Sequence, residues 1–242
     1  MADRDDVYRR PHSQLVDFTF DERVADVFPD MIRRSVPGYE TVIPMTGLMA
    51  ARALRDAGAE RPRAYDLGCS LGATALAIAR QMGDRPCEIV GVDNAAAMIE
   101  RARTLIRDPR ITLRCEDVRD TALDPAGAVT LNYVLQFLPP ADRLAMLERI
   151  RAALTPDGVL LLSEKIRFED PDTQREFEAA HLDFKRANGY SELEISQKRS
   201  ALENVMIVDT EEIHRERLDA AGFTRVRRWY QCLNWAGFEA RP

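Results

Sequence analysis

The stretch Tyr65-Asp66-Leu67-Gly68-Cys69-Ser70-Leu71-Gly72-Ala73-Thr74 leaves a β-type run, turns through two glycines and enters a helical run. Glycine suits such a junction because the backbone turns tightly and a ligand approaches where no Cβ stands in the way. The helix that follows aims its unpaired N–H groups and the positive end of its dipole at the same place. Roughly twenty residues on, the next apolar run ends in Asp93, the position from which a carboxylate accepts from both hydroxyls of a ribose. Together the two features read as a nucleoside-binding crevice at the carboxyl ends of parallel strands.

The surrounding sequence alternates in the same way. Short β-type runs at 63–67, 88–92, 111–114, 128–131 and 159–163 are separated by helical runs at 73–82, 95–106 and 141–154, the last stopped by Pro156-Asp157-Gly158. Such alternation predicts parallel strands joined by right-handed crossovers. The runs at 88–92 and 159–163 are nearly continuously apolar, as strands covered on both faces should be. Upstream, 18–34 and 41–57 read as helices joined by the turn Val36-Pro37-Gly38-Tyr39. Downstream, 168–206 is a polar helical region interrupted at Asn188-Gly189, followed by a helix at 210–221 and strands at 225–230 and 232–239. No repeat or linker divides the chain, so a single α/β domain over 1–242 is expected, with N-terminal helices at 18–57 and a helical insertion at 166–209.

Composition narrows the function. The 242 residues carry 34 Lys and Arg against 40 Asp and Glu, a net charge of -6, which argues against gripping nucleic acid over a wide surface. With 45% hydrophobic and 31% charged residues the mixture is that of a folded globular protein. No apolar run is long enough to cross a membrane, and the first residues lack a signal-peptide core. Cys69, Cys87, Cys115 and Cys232 form no C-x-x-C pair, so reduced thiols in a cytoplasmic protein are expected, with no metal site.

Three ligand chemistries compete for the glycine turn. Gly68-x-Ser70-x-Gly72 matches a hydrolase nucleophile elbow, but no His-Gly-Gly oxyanion loop precedes it, and His181 and His214 are the only downstream bases. A dinucleotide site wants a third glycine on the helix, which is missing. An acid before the first glycine, Asp66, instead suits a ligand that carries an amino-acid ammonium group. A nucleoside joined to an amino acid is S-adenosylmethionine. Asp117, after the third strand, then suits the adenine amino group, and Asn132, after the fourth, the methionine part; from position alone either residue equally caps its own loop. Asn132 lacks the Pro-Pro-aromatic continuation of amino-group methyltransferases and is followed by Tyr133-Val134-Leu135.

The stretch Asp66 to Gly72 with Asp93-Asn94 resembles the cofactor site of class I S-adenosylmethionine-dependent methyltransferases. Longer stretches narrow the likeness: Phe20 to Met31 (FDERVADVFPDM), Arg34 to Tyr39 (RSVPGY), Tyr133 to Leu138 (YVLQFL) and Asp183 to Arg199 (DFKRANGYSELEISQKR). Together they resemble the carboxy-S-adenosyl-L-methionine synthase family. The resemblance implies a Rossmann-like class I methyltransferase fold with a mostly parallel seven-stranded sheet. It further implies that S-adenosyl-L-methionine and prephenate become carboxy-S-adenosyl-L-methionine, phenylpyruvate and water. The product then serves a tRNA carboxymethyltransferase that forms 5-oxyacetyl-uridine at the wobble position. The same likeness implies a homodimer and assigns cofactor contacts to Tyr39, Gly68, Cys69, Ser70, Asp93, Asn94, Asp117, Val118 and Asn132. Arg199 falls to the added carboxylate, which a guanidinium binds bidentately; by charge pattern alone it is a solvated helix residue. An ordinary small-molecule methyltransferase shares every one of the other contacts. A non-catalytic cofactor-binding partner of a tRNA-modifying enzyme is the remaining alternative.

Other residues carry less chemistry. His12 lies near the N-terminus, and His181 and His214 fall in polar helical runs, where surface or capping roles are expected rather than metal ligation. Phe18, Phe20 and Phe28 fall near helical spacing and are expected to pack on the sheet. Trp229 and Trp235 are expected in the core or an interface of the last strands. Tyr39 follows a Pro-Gly turn, from which a side chain is readily aimed into a cleft.

Overall fold

A computed structural model describes residues 4–10 and 17–242. In chain order the elements are α1 (Glu22–Ser35), α2 (Tyr39–Asp56), β1 (Arg63–Leu67), α3 (Ala73–Met82), β2 (Glu88–Asp93), α4 (Ala96–Leu105), β3 (Ile111–Cys115) and β4 (Ala126–Asn132). They continue with α5 (Arg143–Ala153), β5 (Leu154–Arg167), α6 (Pro171–Ala187), α7 (Glu192–Leu202), β6 (Asp209–Thr210), α8 (Glu211–Ala220), β7 (Arg225–Cys232) and β8 (Trp235–Arg241). The main sheet has the order β3-β2-β1-β4-β5-β8-β7, and the two-residue β6 pairs with β5 off this path. Strands β1 to β5 run parallel and β8 is antiparallel to both β5 and β7. This is the expected mostly parallel seven-stranded sheet, with β6 as an addition that the sequence pattern did not signal.

From β1 the chain builds outward to β2 and β3, then returns to place β4 on the other side of β1. The connecting helices diverge at that point, so a crevice opens above the carboxyl ends of β1 and β4. One face of the sheet buries Leu131, Leu160, Leu162 and Phe238 against α5 and α8; the other buries Ala64, Ile89, Ala128 and Leu161 against α2 and α3. A third cluster, with Phe18, Val24, Met31, Met98 and Ala201, joins α1 to α4 and α7.

Element boundaries follow local chemistry. α1 begins at Glu22 because the Asp21 side chain accepts from the Val24 N–H at 2.9 Å, so Phe18 and Phe20 precede the helix rather than belonging to it. α7 starts at a capping box in which Ser191 and Glu194 exchange bonds. The breaker Pro156-Asp157-Gly158 lies among the first residues of β5 rather than before it, and β5 runs on through polar Glu164, Lys165 and Arg167. Pairing explains the extension. β8 covers Leu160 to Lys165, and β6 covers Ile166 and Arg167.

α2 packs closely on α3 at Gly47. A Cβ there would stand 2.6 Å from the Ala77 Cβ and 2.8 Å from its carbonyl carbon, closer than atoms approach. Gly47→Val therefore forces the two helices apart. We expect a loss of about 1–3 kcal/mol, read as a lower urea midpoint at unchanged slope.

Candidate functional site

The β1–α3 turn is built from left-handed backbone: Gly68 at φ +72°, Ser70 at +51° and Gly72 at +79°. Only the glycines adopt this without strain, so Ser70 is held there by its neighbours. The N–H groups of Gly68 and Cys69 both donate to the Val92 carbonyl, at 2.7 and 2.9 Å. The Ser70 N–H donates to Asp93 Oδ2 at 2.8 Å, and the Ala95 N–H to Asp93 Oδ1 at 2.9 Å. Asp93 thus locks two successive strand–helix turns together. Burial pushes its carboxyl upward, and each oxygen keeps a lone pair for a further donor.

Asp66 does not face the crevice. It is 2% exposed, accepting from Thr130 Oγ1 at 2.8 Å and from the Ala75 N–H at 3.0 Å, so it braces β1 against β4 and α3 instead of meeting a ligand ammonium. Full burial raises its carboxyl to about 6.

Tyr39, Gly68, Cys69, Ser70, Asp93, Asn94, Asp117, Val118 and Asn132 line one cavity of about 260 Å³. Arg199 does not: it is exposed on α7, outside the cavity wall. Asn132 Nδ2 donates to Thr74 Oγ1 at 3.2 Å, while its Oδ1 is buried with no partner among the described residues. An acceptor left in this state calls for a donor from a ligand. Asp117 is gripped by Arg119, whose Nε and Nη2 stand 3.0 and 2.8 Å away; the guanidinium holds the carboxyl below the usual carboxylate range. Tyr133 sits at φ +63° with its buried hydroxyl unpartnered, its ring 6.3 Å from Tyr39 and 5.3 Å from Trp235.

Several residues of the site escape a sequence reading. Glu164 is fully buried and accepts from the N–H groups of Val134, Leu135 and Gln136 at 2.9, 2.8 and 3.2 Å. It fixes the loop that carries Asn132 and Tyr133 over the cavity, and burial raises its carboxyl to about 8. Lys165, Lys185, Lys198, His181, Ser35 and Trp235 line the cavity as well. Lys165 stands at the polar end of an otherwise apolar strand, a signal that was legible. His181 and His214 had none, and the surface or capping roles expected for them do not hold. His181 is 5% exposed with Nε2 2.8 Å from the Ser35 carbonyl, and burial lowers it to about 3, so its ring is neutral and donates from Nε2. His214, 2% exposed, packs beside Phe238 and is lowered to about 4. His12 lies outside the described residues. Neither described histidine bonds Ser70, whose Oγ donates to Met98 Sδ at 3.7 Å, so no hydrolase relay forms. Phe18, Phe20 and Phe28 pack edge to face on one another and line the cavity, where sheet packing was expected. Among the described residues no three His, Cys, Asp or Glu side chains gather as metal ligands, and no helix is long and apolar enough to cross a membrane.

Residues 64–158 match a methyltransferase domain model. The carboxy-S-adenosyl-L-methionine synthase of Geobacter metallireducens is 52% identical over 98% of this chain and 97% of its own length. That of Aliivibrio fischeri (strain ATCC 700601 / ES114) is 49% identical over 99% of each. The chain belongs to the carboxy-S-adenosyl-L-methionine synthase family. It is an enzyme of that family. Human N-acetylserotonin methyltransferase, solved in complex with SAM, superposes with a TM-score of 0.61 at 18% identity, covering 91% of this chain and 55% of its own. LepI in complex with SAM superposes at 0.57 and 15% identity, covering 81% and 46%. At such identities the likeness shows the fold, that of class I methyltransferases.

Asp66 makes a stability prediction. A folded value near 6 against an ordinary 3.8 means the folded chain binds this proton more tightly than the unfolded chain. That contribution is complete below about 3.8 and is lost as pH rises through about 6. Relative to Asp66→Asn, the native chain should lose up to about 3 kcal/mol between pH 4 and pH 7. Paired urea titrations across that range measure it; a constant difference contradicts the assignment.

Proposed function

We propose that the chain converts S-adenosyl-L-methionine and prephenate to carboxy-S-adenosyl-L-methionine, phenylpyruvate and water. The observation that carries this reading is the set of nine cofactor-contact residues from Tyr39 to Asn132 on one cavity wall, in a chain about half identical, over nearly its whole length, to synthases of that name. Asp93 has lone pairs left for ribose hydroxyls, and the Asn132 Oδ1 that lacks a donor suits the ammonium of the methionine part. Ala73 and Thr74, in the first turn of α3, line the same cavity, and a helix N-terminus suits the carboxylate of the methionine part.

The positive sulfur of the substrate supplies the acidity of its own methyl group. On the other substrate the bond to the ring carboxylate and the bond to the ring hydroxyl break as the ring becomes aromatic. The departing hydroxide takes the methyl proton and becomes water, and the carboxylate carbon passes as carbon dioxide to the methyl carbon. No protein base is needed, consistent with a neutral His181 in a cavity without a free carboxylate at its cationic end. The chain's contribution is placement and exclusion of water. Arg199 lies outside this chain's own cavity wall, so the reading gives it the new carboxylate in the cavity of a neighbouring subunit. The same reading makes the chain a cytoplasmic homodimer whose product passes to a tRNA carboxymethyltransferase acting on the wobble uridine.

Incubation of the purified chain with both substrates should yield a nucleoside heavier than S-adenosyl-L-methionine by carbon dioxide, with phenylpyruvate in equal amount, by mass spectrometry. Recovery of only the unmodified or demethylated nucleoside returns the chain to ordinary methyl transfer. Arg199→Ala should weaken the carboxylated nucleoside about 10-fold or more and the ordinary one little; equal losses remove Arg199 from the role.

A further inference from the structure

The cavity is acidic at one end and cationic at the other. Neighbouring parallel strands lie about 4.8 Å apart. The order β3-β2-β1-β4-β5 therefore sets the carboxyl ends of β3 and β5 about 19 Å apart. Asp117 follows β3 and Asp93 ends β2, whereas Lys165 stands near the end of β5. Lys185 on α6 and Lys198 on α7 line the cavity with Lys165.

Taking an ammonium out of water is costly unless an anion goes with it. Lys198 has company: its Nζ donates to Ser35 Oγ at 3.0 Å and lies 3.9 Å from Asp5 Oδ2. Lys165 and Lys185 have none. Among the described residues neither ammonium makes a hydrogen bond or ion pair; only the Lys165 backbone N–H is engaged, by Gln136 Oε1. Burial lowers both, Lys185 to about 7, and the charged groups that act on Lys185 are Lys198, Lys165 and Arg199, all cations. Glu178 is the one acid felt at Lys165, and it forms no ion pair. The neighbouring His181 ring is neutral. Two half-buried positive charges thus face an end of the cavity where no acid pairs with them, in a chain whose net charge is -6. Beside them Tyr133 and Trp235 form an aromatic wall with ring centres 5.3 Å apart.

We propose that Lys165 and Lys185 are the subsite for a dianionic co-substrate, one ammonium to each carboxylate of a small ring-bearing dicarboxylate, with Tyr133 and Trp235 against the ring. The proposal rests on the synthase reading above, in which that dicarboxylate is prephenate. A site of this kind selects by charge count. A dianion neutralises both lysines, and a monoanion leaves one half-buried cation unpaired. It also separates the two substrates, since the sulfonium nucleoside carries positive charge and is repelled from the lysine end.

The test uses the full-length chain with Lys165→Met and Lys185→Met, each keeping an unbranched stem. The KM for prephenate should rise about 10–100-fold in each variant, with the Kd for S-adenosyl-L-methionine changed by less than about two-fold. Because an unpaired half-buried charge has been removed, melting temperatures should equal or exceed that of the native chain, the reverse of what a structural lysine gives. Phenylpyruvate keeps only one of the two carboxylates, so its inhibition should weaken in one variant and not the other. In the native chain the KM should rise as pH passes from about 7 to 9, as Lys185 loses its proton. The other charged or titratable groups felt at that end are Lys165, Lys198, Arg199, Glu178 and His181. Should a Met variant fail to fold, the Gln variant at the same position takes its place. Unchanged KM in folded variants while the native chain turns over prephenate overturns the lysine site and leaves the synthase reading standing. Prephenate binding by calorimetry without turnover, weakened in the variants, overturns the synthase reading and keeps the site. Neither binding nor turnover overturns both.

Discussion

Asp66 is the constraint on which the site depends. Its carboxylate has left water entirely, and its two oxygens are taken by Thr130 on β4 and by the first turn of α3. A carboxylate in that position must keep both partners or stand unpaired in the core. β1, β4 and α3 are consequently held in one relative placement, and the crevice at their carboxyl ends inherits it. Asp93 repeats the device one strand over, tying the amides of Ser70 and Ala95. Glu164 repeats it on the far side, tying the amides of Val134, Leu135 and Gln136. Three acids, Asp66 and Glu164 buried and Asp93 partly so, hold the strands, helix and loops that enclose the cavity.

Strain and missing partners concentrate where that scaffold meets the cavity. Ser70 and Tyr133 hold positive φ without being glycine, and Asn132 Oδ1 and the Tyr133 hydroxyl are buried without partners. Such costs persist only where surrounding structure over-determines them, here through the acids just described. Opposing charge at the two ends of one cavity gives each substrate a preferred end before any atom reacts. Catalysis by placement, with no side chain acting as base, demands such pre-arrangement.

Much of this was legible in the chain. The glycine turn, Asp93 and the alternation of short apolar runs with helices specify a doubly wound sheet, because each feature is local: a turn needs its glycines, and a buried strand needs its apolar run. The residues that the family resemblance gives to the cofactor, from Tyr39 to Asn132, line one cavity once the chain is folded. The failures have a common cause. Asp66 looked like a ligand residue because its place before Gly68 is at the crevice, but strand alternation turns its side chain into the core. His181 and His214 looked exposed because α6 and α8 are polar on most faces, and the pattern does not say which face meets the sheet.

The fold class, the nucleoside turn and its acid were determined by the sequence itself, through interactions between residues a few positions apart. The cationic end of the cavity was decided only by tertiary structure. Lys165, Lys185 and Lys198 come from a strand and two different helices, and nothing local to any of them brings the three together. Their meaning lies in mutual proximity within a low-dielectric space, and charge repulsion of that kind exists only once the chain has folded.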